Sequence, residues 1–281
     1  MKVFPDLTAF SELYPEQPGK LRHDLAGHAM FELDALIALA RRMRPVDVEY
    51  NRGNLPVGVD PESDILNGLG IAETIRGIEE NGSWMVLKFI EQDAEYRALL
   101  NETLDELIPV VGSITGEMLK REGFIFISSP NAVTPFHFDP EHNILLQLRG
   151  TKSMTIFPAD DEQIVAGIEH ERFHLGGHRN LPWRADIAPR GRAFDLAAGD
   201  AVYVPVKAPH WVQNGPGVSI SLSVTWRSEW SYMEADARGM NAVLRQRGLT
   251  PNAPKRFPSR NLAKSVGYRA IRRVRGLFGK T

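Results

Sequence analysis

The 281-residue chain contains no cysteine, which excludes disulfides, thiolate zinc sites and cysteine nucleophiles together. Any metal must therefore rest on nitrogen and oxygen donors. No apolar run reaches the length of a membrane span. The opening stretch MKVFPDLTAFSELYPEQ has no basic segment followed by an apolar one, so a signal peptide is not expected and a soluble, cytoplasmic protein is. Internal repeats and low-complexity tracts are absent as well. Acid is missing from one region only. Residues 251–281 hold nine Lys or Arg and no Asp or Glu, so a chain of net charge −2 carries −11 over the remainder. Such a tail can meet nucleic acid, an acidic lipid surface or an acidic partner, or it can dock on its own domain.

What is present is turn-forming residues, 24 Gly and 19 Pro, in a pattern that changes along the chain. Residues 1–111 read as helices around a strand or two. MFELDALIALARRM has helical apolar spacing at Leu33, Leu36, Ile37 and Ala40, and DVEY before NRGNLPVG looks extended and then turns. GIAETIRGIEENG reads as a helix stopped by its Asn-Gly pair, SWMVLKFI as a strand and DAEYRALLNETLDELIPVV as helix. Residues 112–228 break into short β-like runs, namely GFIFISS, NILLQLR, KSMTIFP, AFDLAAGDAVYVPV and GVSISLSVTW. Strands this close together imply a sandwich or barrel. GIEHERFHLGGHRNLPW interrupts them as an excursion of loop or short helix. Residues 229–281 return to helix, and Leu262, Val266, Ala270, Val274 and Phe278 recur every fourth residue among Arg and Lys. Docking of that helix on the domain or on a second copy weighs at least as much as contact with lipid or nucleic acid.

The densest chemistry lies in TPFHFDPEHN, residues 134–143. Alternate side chains of an extended segment share a face, so His137 and Asp139 point one way and Phe138 the other. One imidazole and one carboxylate leave a metal short of ligands. The best third donor is His210 in VKAPHWVQN, at a strand end beside a neighbouring turn. Two histidines and one carboxylate form the facial arrangement that holds Fe(II) and leaves positions open for reactants. In ILLQLR-GT-KSMTIFP the Gly-first pair suits a type II′ hairpin, which would set Arg149 opposite Lys152 and put Lys152 on one face with Asn143. That ammonium could then meet an anionic ligand of the metal, although a lysine beside a turn is more often simply solvated.

These spacings carry a resemblance. His137-x-Asp139, Asn143 and Gly150 are similar to the first cupin motif, and Gly199, Pro205, His210 and Asn214 to the second. Asp139 and Asn143 stand where four-ligand cupins have histidine and glutamate, which favours a three-ligand site. Across most of residues 124–226 the chain more closely resembles the Jumonji C branch, particularly protein hydroxylases related to the asparaginyl hydroxylase of hypoxia-inducible factor. The resemblance implies a mainly β fold: a double-stranded β-helix (jelly-roll, cupin) core with N-terminal α/β elements and C-terminal helices. It also implies an Fe(II)- and 2-oxoglutarate-dependent oxygenase, with iron on His137, Asp139 and His210. Lys152 and Thr134 would hold the distal carboxylate of the cosubstrate, and Asn143 would lie near its metal-proximal end. SISLSVTW offers Ser223 or Thr225 where the asparaginyl hydroxylases place an asparagine. SWMVLKFIE lacks their upstream tyrosine. The C-terminal helices resemble the dimerising helices of parts of this family, so a homodimer is one expected arrangement.

Other readings stay open. A cupin-like module could bind a metal or small acid without turnover and act through partners, or a metal enzyme could dispense with the keto acid. Substrate choice, protein side chain or small molecule, is expected to lie in residues 159–193 and the N-terminal region. His142 is out of phase with His137 and Asp139 and reads as a loop residue. His170, His174 and His178 have helical spacing, but Gly176-Gly177 interrupts it, so a surface or substrate-facing loop is expected. Trp183, Trp211, Trp226 and Trp230 are assigned to packing.

Overall fold

The computed structural model describes residues 2–52, 57 and 68–278. Its elements run α1 (Thr8–Leu13), β1 (Gly19–Arg22), α2 (Leu33–Arg42), β2 (Val48–Arg52), α3 (Ile71–Arg76), β3 (Ser83–Lys88), α4 (Ala94–Asp105), α5 (Ile108–Thr115) and β4 (Met118–Ser128). They continue with β5 (Val133–His137), β6 (His142–Arg149), β7 (Thr151–Ile156), α6 (Gly167–Phe173), β8 (Arg192–Ala197), β9 (Asp200–Val204), β10 (His210–Asn214), β11 (Ser219–Ser228), α7 (Glu229–Gln246) and α8 (Leu262–Phe278). The strands after α5 match the β-like runs of the sequence. α3 stops earlier than expected, at Arg76, where Gly77 supplies the cap and residues 77–80 form a turn that leads into Asn81-Gly82. Most of the turn expected in NRGNLPVG lies outside the described residues.

Two antiparallel sheets face each other as a jelly roll: a seven-stranded sheet ordered β1-β9-β6-β11-β4-β3-β2 and a four-stranded sheet ordered β5-β10-β7-β8. The strand period of two divides the large sheet into two environments. On β11, Ile220, Leu222, Val224 and Trp226 enter a core shared with Ile125, Ile127, Ile144 and Leu146 and with helix residues such as Leu36, Leu39, Leu100 and Leu104. Each such fully buried side chain contributes about 1.5–3 kcal/mol. Lys152 reaches Ser221 across the sandwich, while Ser223 and Thr225 of the same alternate set line its interior. These small hydroxyl side chains leave space between the sheets that bulkier residues would close. At one end the gap is filled by Leu145, Met154, Ile156, Phe194, Leu196, Val202, Val204 and Val212.

The hairpin expected between β6 and β7 does not form. β6 pairs with β11 and β9, whereas β7 pairs with β10 and β8. Gly150, at φ +71°, is the corner at which the chain leaves one sheet for the other. A Cβ there would stand 2.2 Å from the Val218 carbonyl oxygen, so the turn needs glycine for space as well as for its dihedral angle. Lys152 faces Asn214 and Leu196 in its own sheet rather than Arg149.

The C-terminal helix docks on α7 through a face other than its apolar stripe. Ser265 Oγ donates to Asp236 Oδ2 at 3.0 Å, Arg269 Nε to the same oxygen at 2.5 Å, and Tyr268 fits against Gly239, where a Cβ would collide with its ring. Leu262, Val266 and Val274 are exposed. Among the described residues no helix is long and apolar enough to cross a membrane.

Candidate metal centre

β5 and β10 are neighbours, and their register places His210 directly opposite His137. Asp139 follows two residues beyond His137, so the three side chains converge, with donor atoms all within 4.8 Å of one another. Asp139 Oδ2 lies 3.8 Å from His137 Nε2 and 3.7 Å from His210 Nε2. Two donors each about 2.1 Å from a common ion can stand no more than about 4.2 Å apart, so these spacings accommodate one. Phe138 points away into an apolar cluster with Phe136, Phe157 and Leu181, as the alternation requires.

Each imidazole is held by the nitrogen it does not offer. His137 Nδ1 pairs with the Pro135 carbonyl at 2.7 Å and His210 Nδ1 with the Ala208 carbonyl at 2.9 Å. Nδ1–H donating to a carbonyl turns the Nε2 lone pair inward and sets the tautomer. Burial, aided by His210, pushes His137 down to about 3, and burial also lowers His210. Burial opposes ionisation of Asp139, but Arg179, His137 and His210 together outweigh it and hold the carboxyl at about 2. At neutral pH the three groups are thus already in the protonation states a cation requires.

The donors open onto a cavity of about 450 Å³, whose lining includes Thr134, Asn143, Lys152 and Ser223. Lys152 is 6 % exposed, and Nζ donates to Ser221 Oγ at 2.8 Å. No carboxylate among the described residues lies within ion-pair distance of it, and burial lowers its pKa to about 7. The sequence placed Lys152 and Asn143 on one strand face. They share the cavity instead because the two sheets face each other. Ser223 Oγ donates to Asn143 Oδ1 at 2.6 Å and so orients the amide.

Several cavity residues were missed by the sequence reading. Arg179 Nη1 donates to Asp139 Oδ1 at 2.8 Å, from within the 159–193 excursion. Glu141 lines the wall, its pKa raised to about 7 by burial and by Asp139, and Arg227 Nη1 stands 3.8 Å away. Trp84 lies on the strand that lacks a tyrosine. Its indole Nε1–H is buried in the cavity wall without a hydrogen-bond partner among the described residues. Of the uncertain histidines, His178 lines the cavity, whereas His170 is buried against Phe138 at 4.7 Å between ring centroids. His142 is neither ligand nor loop residue. It begins β6 fully buried, with Nδ1 3.0 Å from Tyr203 OH, Nε2 3.0 Å from Ser228 Oγ, and its ring stacked on Trp226. Its phase faces it away from the metal ligands, toward the helical core. Trp226 and Trp230 are buried, as expected of packing residues.

The sequence profile of the Cupin-like domain matches residues 76–232. The chain belongs to the cupin-like domain family. The match spans β3 through the first turn of α7 and so contains all three candidate ligands. It does not single out the asparaginyl hydroxylases within that family. The fold is similar to a solved structure of YcfD from E. coli, with TM-score 0.55 and 17 % identity, covering 96 % of this chain and 68 % of that one. Two further structures of the Escherichia coli protein, described as a ribosomal oxygenase, align at 16 % identity and TM-score 0.49 over 96 % of this chain. They cover 68 % of the other chain in one case and 67 % in the second, a complex with cobalt and 2-oxoglutarate. At this identity the likeness is one of fold. No curated protein matches the chain in sequence.

Proposed function

We propose that this cupin-like protein is an Fe(II)- and 2-oxoglutarate-dependent oxygenase, a cytoplasmic hydroxylase of a protein side chain or a small molecule. One observation carries the reading. A His-Asp-His donor set in its deprotonated form and a buried lysine without a carboxylate partner among the described residues line the same cavity. That pairing suits a ligand with a chelating keto acid at one end and a second carboxylate at the other.

His137, Asp139 and His210 would hold the iron, which with 2-oxoglutarate supplies the oxidant for C–H hydroxylation with release of succinate and CO2. Lys152, with Thr134 on the same wall, would bind the distal carboxylate, and a charge-assisted hydrogen bond from so buried an ammonium is strong. Asn143, aligned by Ser223, would donate its amide toward the cosubstrate. Arg179 keeps Asp139 ionised and oriented.

The test is direct. Purified protein with Fe(II), ascorbate and 2-oxoglutarate is expected to release succinate, and absence of both cosubstrate binding and succinate would sink the proposal. A module that binds metal and a small acid without turnover would bind both and release none, even with candidate peptides and metabolites added.

A further inference from the structure

The turn between β9 and β10, residues 205–209, touches two of the three candidate ligands through its backbone. Lys207 N–H donates to the Asp139 carbonyl oxygen at 2.8 Å, and the Ala208 carbonyl oxygen pairs with His210 Nδ1 at 2.9 Å. The turn is closed by Ala208 N–H on the Pro205 carbonyl at 3.0 Å and tied to the end of β7 by Phe157 N–H on the Pro209 carbonyl at 2.8 Å. Lys207 itself sits at φ +61°, in the left-handed region. Glycine meets that backbone requirement without strain, so a lysine there implies that its side chain is needed.

The side chain runs inward, away from water. Lys207 Nζ lies 3.1 Å from Glu234 Oε2, and both side chains are 1 % exposed. The same ammonium donates to His174 Nε2 at 2.6 Å, just past the end of α6. Glu234 belongs to α7, where Arg238 Nε donates to its other oxygen at 2.9 Å. A buried ion pair of this kind adds little net stability, but it fixes one arrangement, because any other leaves a desolvated charge alone.

We infer that Lys207 is a positioning residue: anchored on Glu234 of α7, it holds the left-handed turn that sets Asp139 and His210 around one ion. The inference rests on the metal-site reading above. Three donors must meet within about half an ångström of their working positions, and a turn free to relax would move two of them. Through this contact the helix that follows the jelly roll bears on the metal centre.

Lys207→Gly separates a backbone role from an anchoring one. It permits the left-handed conformation and keeps the N–H on Asp139, but it removes the ammonium. If only backbone conformation mattered, the variant would bind metal as the parent does. Anchoring predicts a Co(II) Kd raised about 10–100-fold, with altered visible d–d bands and retained circular dichroism. A folded Lys207→Gly protein whose Co(II) affinity stays within about twofold, with an unchanged spectrum, overturns the inference. Glu234→Gln preserves shape and the Arg238 contact, and it decides the matter on the same two readouts if Lys207→Gly does not fold. It too is expected to weaken Co(II), and parental affinity and spectrum would count against the anchor. A parent protein that fails to bind Co(II) overturns the metal-site reading itself, and this inference with it.

Discussion

Arg179 and Asp139 divide one carboxylate between two tasks. Oδ1 accepts from Arg179 Nη1 at 2.8 Å, while Oδ2 faces the two imidazoles at 3.7 and 3.8 Å. The guanidinium thereby presents a single oxygen to the cation and keeps it charged. Arg179→Met is expected to lower Fe(II) or Co(II) affinity about 10–100-fold, as losses of outer-shell partners do. It should also move the acid limit of metal binding to higher pH, because Arg179 is first among the groups, with His137 and His210, that hold Asp139 down to about 2. Metal titrations between pH 4 and 7 check both effects. Equal curves for parent and variant would remove Arg179 from the site.

Replacing a ligand should cost the metal and leave the fold. His137→Ala and Asp139→Ala are expected to abolish stoichiometric metal binding and succinate release while the metal-free melting temperature shifts by only a few degrees. The ligands line a cavity rather than the apolar core, so truncation leaves no dry void. Normal turnover in either variant would contradict the assignment.

Lys152 makes a prediction whose sign follows from burial. Its folded pKa, about 7, lies below the unfolded value of 10.5, so the unfolded chain binds more protons between those limits. The lysine therefore depresses stability fully below pH 7, and stability recovers as pH rises toward 10.5, by up to about 1.4 kcal/mol per unit. The difference in denaturation free energy between the parent and Lys152→Met isolates this contribution, and it should shrink across that window. A carboxylate ligand reverses the balance by favouring the ammonium. Above pH 7, 2-oxoglutarate should bind with net proton uptake, visible by calorimetry in buffers of differing ionisation enthalpy. Lys152→Met should lose about 10–100-fold in affinity for the acid and none for the metal.

Trp84 tests a single hydrogen atom. Its indole N–H lies in the cavity wall with no partner among the described residues, and Trp84→Phe keeps most of the ring, with its packing on Phe126 at 6.0 Å, while removing the donor. A buried donor normally finds a partner, so the variant should bind 2-oxoglutarate up to about tenfold more weakly. Unchanged affinity would assign the N–H to the substrate or leave it without a ligand role.

Local physics made a good part of this protein legible. A period of two put His137 and Asp139 on one face and Phe138 on the other, whatever the fold around them. The same period separates Ile220, Leu222, Val224 and Trp226 from the hydroxyl residues that line the interior. The absence of cysteine had already restricted the metal to nitrogen and oxygen.

Tertiary structure decided what depends on which strand edges meet. The Gly-Thr pair after β6 looked like a hairpin because a local pattern shows that the chain turns, not whether it stays in one sheet. Both edges of β6 were taken by β9 and β11, so the chain crossed the sandwich at Gly150. Arg179 and Asp139, forty residues apart, and Lys207 and Glu234, joined across a turn and a helix, left no mark in the sequence. An ion pair is a relation between two positions in space, and charged side chains alone do not say which opposite charge the packing of apolar faces will bring within reach.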